Sequence, residues 1–200
     1  NWTEVNDLNA ARTNIITLGT NTSTIAAGGG PPALDSTELW NGTNWTEVND
    51  VNSARRLGAR AGTATAALIS AGYTSTNVTL TESWNGTNWT EVNDMNTARR
   101  VLGGNGTSTS ALDYGGKATP TQLANTELWN GTSWTETTDM NVAKDFHCGS
   151  GTQTAALAFG GAPGATNNES YNEFLSINSK LSPLTTPRTP WLPSSSGLCL

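Results

Sequence analysis

Carboxylates recur at two fixed places along this chain. One set is Glu4, Glu47, Glu91 and Glu136, and the other is Asp7, Asp50, Asp94 and Asp139. Carboxylate oxygens are ligands that Ca²⁺ prefers, so a ring of them could hold this ion. Alternatively, the glutamates lie on a solvated strand face and the aspartates shape turns. We favour this alternative, because recurrence in every repeat is what a repeated structure requires.

Basic side chains recur as well, at Arg12, Arg55, Arg99 and Lys144. They could line a central channel and bind an anion, or they could form hydrogen bonds from one repeat to the next, to carbonyls or to the repeated acids. The second interpretation is favoured for the same reason as above. Arg56, Arg60 and Arg100 stand outside this series and mark a basic side on the second and third repeats.

Few other residues could do chemistry. His147 is the only histidine, and Cys148 and Cys199 are the only cysteines, which leaves little material for a metal site or a disulfide framework. No Ser-His-Asp set or carboxylate pair stands apart from the repeats. We therefore predict no catalytic residue, no metal site and no cofactor.

The composition predicts strands and turns as the elements that position these residues. The 200 residues include 33 Thr, 22 Asn and 21 Gly, and 13% are charged, about half the ~25% usual in soluble proteins. Thr suits strands, and Gly and Asn suit tight turns. The net charge of −6 argues against a nucleic-acid partner, which needs a basic surface. No apolar run approaches the ~18 residues of a membrane span.

The chain is built from repeats with a rigid spacing. A tryptophan recurs at Trp2, Trp45, Trp89 and Trp134, and the next basic residue always follows 10 positions later. A Gly-Thr pair follows the basic residue by 7 positions, and a pair of small residues begins 9 positions after that. All variation in length falls between this small pair and the next aromatic residue. One loop per repeat therefore varies in length, and the remaining segments of the repeat have a constant length.

Each repeat reads as four strands, a to d. In the second repeat they are predicted over Leu57 to Gly62, Thr65 to Ala71, Thr79 to Trp84 and Thr87 to Val92. Asn85-Gly86 between the last two is a strong hairpin signal. A two-residue turn there would pair Glu82 with Trp89 and make Trp84 and Trp89 diagonal neighbours on one face. Such aromatic residues are expected to be buried against the neighbouring unit.

This pattern resembles the kelch repeat. Its marks are a strand that ends in a glycine pair, an aromatic residue, a tryptophan and a basic residue, as in Gly115-Gly116, Trp129, Trp134 and Lys144. The parallel positions are Gly28, Gly29, Gly72, Gly160, Gly161, Trp40 and Trp84, although Trp40, Trp84 and Trp129 replace the usual Tyr and Ala71 replaces one Gly. The resemblance implies an all-β propeller of four-stranded antiparallel blades over residues 1–174. The residue sequence of these repeats also resembles that of kelch-like repeat proteins from marine phages and bacteria. Some of those proteins are presumed to be virion or surface proteins.

The repeats define four units, 12–50, 55–94, 99–139 and 144–174. Residues 1–6 read as a strand d that could close the last unit into a four-bladed ring, and the rival is an open arc of a larger propeller. The start at Asn1 suggests a fragment or a processed product. Residues 175–200 are rich in Pro and Ser and read as a disordered tail or linker, or as the product of a shifted reading frame.

The expected function is non-catalytic binding or a structural role. The b–c loops, which vary in length, and the d–a connections lie at the same end of the blades. A protein or glycan partner is expected there. Tyr73, Lys117, Arg56 and Arg100 are the candidate ligand-binding residues. Some kelch-like propellers are copper radical oxidases, but this chain lacks their ligand set of Tyr, His and Cys. The rival class is a carbohydrate-active enzyme on a kelch-like propeller, which would require convergent carboxylates in a deep pocket.

Overall fold

The computed structural model describes residues 1–163 and 166–173 of the chain. Every secondary-structure element within these residues is a β-strand, which confirms the all-β prediction. No helix in this part of the chain is long and apolar enough to span a membrane. The predicted tail over 175–200, with Cys199, lies outside the described residues.

The repeat units form separate antiparallel sheets whose strands follow chain order. The first sheet is β1 (Ile16–Thr20), β2 (Ser23–Ala27), β3 (Thr37–Trp40) and β4 (Trp45–Val48), and the second is β5 (Ala59–Thr63), β6 (Ala66–Ser70), β7 (Thr81–Trp84) and β8 (Trp89–Val92). The third is β9 (Gly103–Thr107), β10 (Ser110–Tyr114), β13 (Thr126–Trp129) and β14 (Trp134–Glu136), with a separate hairpin of β11 (Lys117–Ala118) and β12 (Thr121–Gln122) in its b–c loop. Within the described residues the fourth sheet has three strands, β15 (Cys148–Gly151), β16 (Ala155–Phe159) and β17 (Asn168–Asn172).

The turn between strands c and d is longer than the sequence predicted. Trp84 lies directly opposite Trp89, and Glu82 lies opposite Glu91, so four residues form the turn and the two-residue register is wrong. The Asn85 side chain explains the difference, because its Oδ1 accepts hydrogen bonds from the amides of Thr87 and Asn88, both at 2.9 Å. This Asx geometry closes a wider loop. The tryptophan rings therefore face each other directly, with centroids 5.3 Å apart.

Each aromatic pair packs against the preceding unit. Trp84 and Trp89 share a core cluster with Ile25 of the first unit, and Trp129 and Trp134 share the next cluster with Leu68 of the second. In the fourth unit Tyr171 packs against the cluster that contains Leu112 and Tyr114. Burial of large aromatic residues between sheets is thus the main cohesion between neighbouring units.

Burial of the second tryptophan depends on whether a unit precedes it. Trp89 and Trp134 are each 6% exposed, whereas Trp45 in the first unit is only half-buried. The sequence predicted all three to be buried between units. Trp45 differs because the described part of the chain places no complete unit before the first one.

The four sheets are joined in series through their first strands. β1 contacts β5, β5 contacts β9, and β9 contacts β15, whereas no comparable packing joins β1 to β15 in the described residues. This arrangement is consistent with a β-propeller-like fold, and the described residues show no closed ring.

The N-terminal segment does not close the last unit. Residues 1–6 form no strand and Trp2 is fully exposed. Asn6 instead donates through Nδ2 to the Thr43 carbonyl, at 3.0 Å, and to Asn44 Oδ1, at 2.6 Å. Asn49 repeats these bonds one unit later, to Thr87 and Asn88. Within the described residues the segment thus lies beside the first unit, as each strand d lies beside the unit that follows it, and the alternative of a ring closed by residues 1–6 is not observed.

Candidate functional site

The repeated basic residues form buried ion pairs, each inside its own unit. The four pairs, with their N–O distances, are Arg12–Glu38 (2.8 Å), Arg55–Glu82 (2.8 Å), Arg99–Glu127 (3.2 Å) and Lys144–Glu169 (3.2 Å). Each basic side chain is fully buried in its pair. The partners belong to neither acidic set that the sequence singled out. A glutamate two positions before each strand-c aromatic residue was the signal that sequence reasoning missed.

These pairs fix the d–a connection to strand c. Arg12 also donates to the carbonyls of Gly28 and Ser36, at 3.2 and 2.6 Å. Glu38 also accepts hydrogen bonds from the amide and the side chain of Asn9, both at 2.8 Å. Burial lowers the pKa of Arg55, and the charge of Glu82 opposes that effect. Only some of the buried donors have carbonyl or carboxylate partners, because Nε and Nη1 of Arg55 and of Arg99 have no hydrogen-bond partner within the described residues.

The repeated glutamates lie on a solvated strand face, as the favoured alternative predicted, but the aspartates bind a backbone amide 13 positions earlier in the chain instead of shaping a local turn. Asp50, Asp94 and Asp139 each accept a hydrogen bond from the amide that begins strand c, at 3.0 to 3.1 Å. Glu47, Glu91 and Glu136 are exposed on strand d. Among the described residues, no group of three or more His, Cys, Asp or Glu side chains is placed to hold a metal ion.

The glycine pairs join consecutive units. The amide of the second glycine donates to the carbonyl of the next unit's basic residue, in Gly29 to Arg55, Gly72 to Arg99 and Gly116 to Lys144, at 3.0, 2.9 and 2.8 Å. At Gly28, whose φ is +62°, a Cβ would come within 2.2 Å of the Arg55 carbonyl oxygen. Glycine is required at this position because the next unit's backbone approaches so closely. Gly115, Gly160 and Gly161 also have positive φ.

The four candidate ligand-binding residues meet on one surface, which we call the cationic patch: Arg56, Tyr73, Arg100 and Lys117. Backbone hydrogen bonds pair Arg56 with Tyr73, at 2.9 and 3.1 Å, and Arg100 with Lys117, at 2.8 and 3.2 Å. Each pair joins a d–a connection to the b–c loop of the same unit. The two pairs therefore lie at the same end of the second and third sheets.

Side chains connect the two halves of the cationic patch. The guanidinium carbon of Arg100 lies 4.6 Å from the centroid of the Tyr73 ring, and that of Arg56 lies 5.3 Å from it. Such distances are those of cation–π contacts. Arg100 Nη1 also donates to Asn77 Oδ1 at 2.7 Å, and Asn77 Nδ2 donates to the Lys117 carbonyl at 3.1 Å. The Arg100 side chain is therefore held in one orientation across the boundary between two units.

A carboxylate lies at one end of the cationic patch. Lys117 Nζ lies 3.7 Å from Oδ2 of Asp145, whose side chain is almost fully buried. Asp145 occupies the position that Arg56 and Arg100 hold in their units, and Thr13 holds it in the first. Of the three cationic groups in the patch, Lys117 thus stands beside a carboxylate, on a chain whose overall charge is negative. The patch breaks the repeat, because no such set recurs in the first or fourth unit.

A second set of polar residues was not predicted. Asp113, Tyr114, Asn105 and His147 are all buried between units. Asp113 accepts a hydrogen bond from Ser70 Oγ of the second unit, and Asn105 Nδ2 donates to the Tyr114 hydroxyl at 2.7 Å. The His147 ring lies against Tyr114, with centroids 5.3 Å apart. A comparison of the repeats could have indicated this set, because Asp113 and Tyr114 stand where the first unit has Ala26 and Ala27.

Burial shifts the protonation equilibria of these groups. It raises the pKa of Asp113 to about 7, against the opposing effects of the Ser70 hydrogen bond and the charge of Arg99. It also raises the pKa of Tyr114 to about 12. Burial and the nearby charge of Lys144 lower the pKa of His147 to about 4. The adjacent Cys148 is exposed and has a free thiol.

A cleft of about 250 Å³ separates the third and fourth units. Leu112, Met140 and Tyr171 line it, together with the carboxylates of Asp139 and Glu169. Asp139 is engaged by the Thr126 amide. Partial burial tends to raise the pKa of Glu169, but hydrogen bonds from the Asn141 amide and from Lys144 hold that pKa below its ordinary value. Both carboxylates in the cleft are therefore occupied by structural partners.

No protein-family model matches the chain, and no curated protein matches it either.

Proposed function

We propose that this chain is a kelch-type β-propeller module that binds an acidic glycan without catalysing a reaction. The observation that carries the proposal is the convergence of Arg56, Tyr73, Arg100 and Lys117, which lie up to 61 positions apart in the sequence. The kelch assignment rests on the repeated glycine pairs, aromatic pairs and basic residues. The serial four-stranded sheets support it.

The cationic patch suits an anionic group on a small ligand. Guanidinium groups bind carboxylates and sulfates through paired N–H donors. Tyr73 and Asn77 hold Arg100 in place before any ligand arrives, which lowers the entropy cost of binding. A stable protein partner would need about 800 Å² of surface on each side, whereas four half-buried side chains match the size of one or two sugar rings. We therefore favour an acidic glycan over an acidic protein.

The state of the buried acids favours binding over glycoside hydrolysis. Hydrolysis requires an acid and a second carboxylate that both reach the scissile bond. Asp113 has the raised pKa of a general acid, but it is 1% exposed and bonded to Ser70. Asp139 and Glu169 in the cleft are held by backbone amides and by Lys144.

The test is a titration of the full chain with an acidic polysaccharide, polygalacturonate, and with neutral dextran. We expect polygalacturonate to bind more weakly as salt rises, because added ions screen the patch. Arg100→Gln should weaken binding about tenfold, the loss expected for one charge-assisted hydrogen bond.

Arg60→Gln is the matched control, because it removes one exposed positive charge from β5. It should bind as the wild type does. Equal losses in the two variants would mean that only net charge matters. Equal binding of dextran and polygalacturonate would refute the acidic ligand, and binding of an acidic protein with no glycan binding would reassign the partner.

A further inference from the structure

The fourth unit exposes apolar side chains on the face that points away from the third. Leu157 is 44% exposed, Phe159 38% and Phe146 67%. Along β16, Leu157 and Phe159 alternate with Ala156 and Ala158, which are buried against the third unit. Phe146 lies before β15, in the d–a connection. We call the surface formed by Phe146, Leu157 and Phe159 the trailing face.

The positions of Leu157 and Phe159 are covered in every earlier unit. Register along strand b makes Ile25, Leu68 and Leu112 the counterparts of Leu157. These three side chains are at most 1% exposed. Each packs in a cluster with the strand-c aromatic residue of the following unit. Within the described part of the chain, the trailing face is therefore a unit-to-unit interface with no further unit against it.

The first unit presents the complementary surface. Trp40 and Trp45 stack with centroids 5.5 Å apart, close to the 5.3 Å of Trp84 and Trp89. Trp84 and Trp89 pack on the unit before them, whereas Trp45 is half-buried and Trp2 is fully exposed. We call the surface formed by Trp2 and Trp45, beside the Trp40 ring that is only 8% exposed, the leading face.

We propose that the leading face of one chain docks on the trailing face of a second copy. The contact would repeat the interface already present three times within the chain, with Trp45 and the exposed edge of Trp40 covering Leu157 and Phe159. It would also extend the backbone hydrogen bonds between units. Gly161 of one copy would donate to the Arg12 carbonyl of the other, as Gly29 donates to Arg55. The Asn14 amide of the chain with the leading face would donate to the Phe146 carbonyl of the second copy, as the Leu57 amide donates to the Asn14 carbonyl.

The N-terminal segment fits the same arrangement. Trp2-Thr3-Glu4-Val5 repeats the sequence of β4 and β8. Hydrogen bonds from Asn6 and Asn9 already hold this segment beside the first unit, where the outer strand of a preceding unit would lie. In the docked pair, Trp2 would reach the cleft beside Tyr171 of the second copy, as Trp45 lies beside Trp40. One docking geometry thus covers the trailing face, the leading face and the cleft.

This contact joins two different surfaces, so it leads to a closed ring or to a growing filament. The test measures molar mass by light scattering as concentration rises. We expect the wild-type chain to associate at micromolar concentration. Leu157→Lys and Trp45→Lys should each remain monomeric, and an equimolar mixture should form a 1:1 dimer and nothing larger, because each variant keeps one intact face.

Thr109→Lys is the matched control, since it adds the same charge in an exposed turn away from both faces. It should associate as the wild type does. Circular dichroism checks that each variant is folded, and Trp2→Lys replaces Trp45→Lys if the latter unfolds. A wild type that stays monomeric at tens of micromolar, or a Leu157→Lys variant that associates normally, would overturn the proposal.

Discussion

The guanidinium of Arg100 lies 4.6 Å from the ring centroid of Tyr73, and the two residues belong to different repeat units. Arg56 approaches the same ring from within the unit of Tyr73. The ring faces attract both cations and offset part of their mutual repulsion. A single aromatic side chain thereby keeps two positive charges together on a chain of net negative charge.

Replacing Tyr73 should therefore weaken ligand binding without any loss of charge. Tyr73→Leu removes the ring that positions Arg56 and Arg100, so we expect about a fivefold loss of affinity for polygalacturonate, equivalent to about 1 kcal/mol. Tyr73→Phe keeps the ring and should bind nearly as the wild type does. Calorimetric titration of the three proteins measures this, and equal affinities would show that the ring has no positioning role.

The tryptophan pairs predict unequal contributions to stability. Trp89→Ala should lower the free energy of unfolding by about 3–5 kcal/mol, as large-to-small core changes do. Trp45→Ala should cost less than half as much, because its ring is already partly in water. Urea unfolding of the two variants gives the comparison. The unfolding is measured at nanomolar concentration, below the range of the proposed association, because docking would itself bury Trp45. A Trp45 variant as unstable there as the Trp89 variant would show that the Trp45 ring is buried within the single chain.

The buried ion pairs predict a large effect from a small chemical change. Glu82→Gln leaves the Arg55 guanidinium buried without a counter-charge, which should cost about 3–5 kcal/mol of folding free energy. Glu91→Gln is the control, because Glu91 is exposed on β8 and its loss should change stability by less than about 0.5 kcal/mol. Similar unfolding midpoints for the two variants would contradict a structural role for the pair.

Asp113 predicts a pH dependence whose sign is opposite to that of most carboxylates. Its pKa in the folded protein is about 7, raised by burial from 3.8. The folded state therefore binds the extra proton between these values, and stability is lost as pH rises through this window. In Asp113→Asn this loss disappears, so the variant should become more stable relative to the wild type from pH 4 to pH 7.

His147 acts in the opposite direction, because its lowered pKa of about 4 makes stability fall as pH drops below 6.5. The difference between the wild type and Asp113→Asn removes this common contribution. Unfolding free energies measured at several pH values give the difference, and a constant value from pH 4 to pH 7 would mean that Asp113 titrates normally.

The spacing of repeated residues predicts much of this fold. Fixed distances from Trp89 to Arg99 to Gly106 place the strands in order, and they place Arg56, Tyr73, Arg100 and Lys117 at one end of the sheets. Spacing did not predict that Asn85 would accept two amide hydrogen bonds and widen its turn to four residues. That outcome depends on a local side-chain contact.

Other features escaped prediction because they depend on partners distant in sequence. The pairing of Arg55 with Glu82 spans 27 positions. It joins two repeated positions, a basic residue and a strand-c glutamate, that the spacing pattern does not connect. The environment of Asp113 depends on Ser70 in the preceding unit. The position of residues 1–6 depends on Asn6 and Asn9, whose recurrence one unit later, at Asn49 and Asn52, indicates a link to the following unit.

The most direct measurement for the proposed function is a map of amide chemical shifts by nuclear magnetic resonance during titration with an oligogalacturonate. We predict that the shifts are confined to the b–c loops and d–a connections of the second and third units, and are largest at Arg56, Tyr73, Arg100 and Lys117. Shifts centred instead on the Asn-Gly turns at Gly86 and Gly131, at the opposite end of the sheets, would contradict the account.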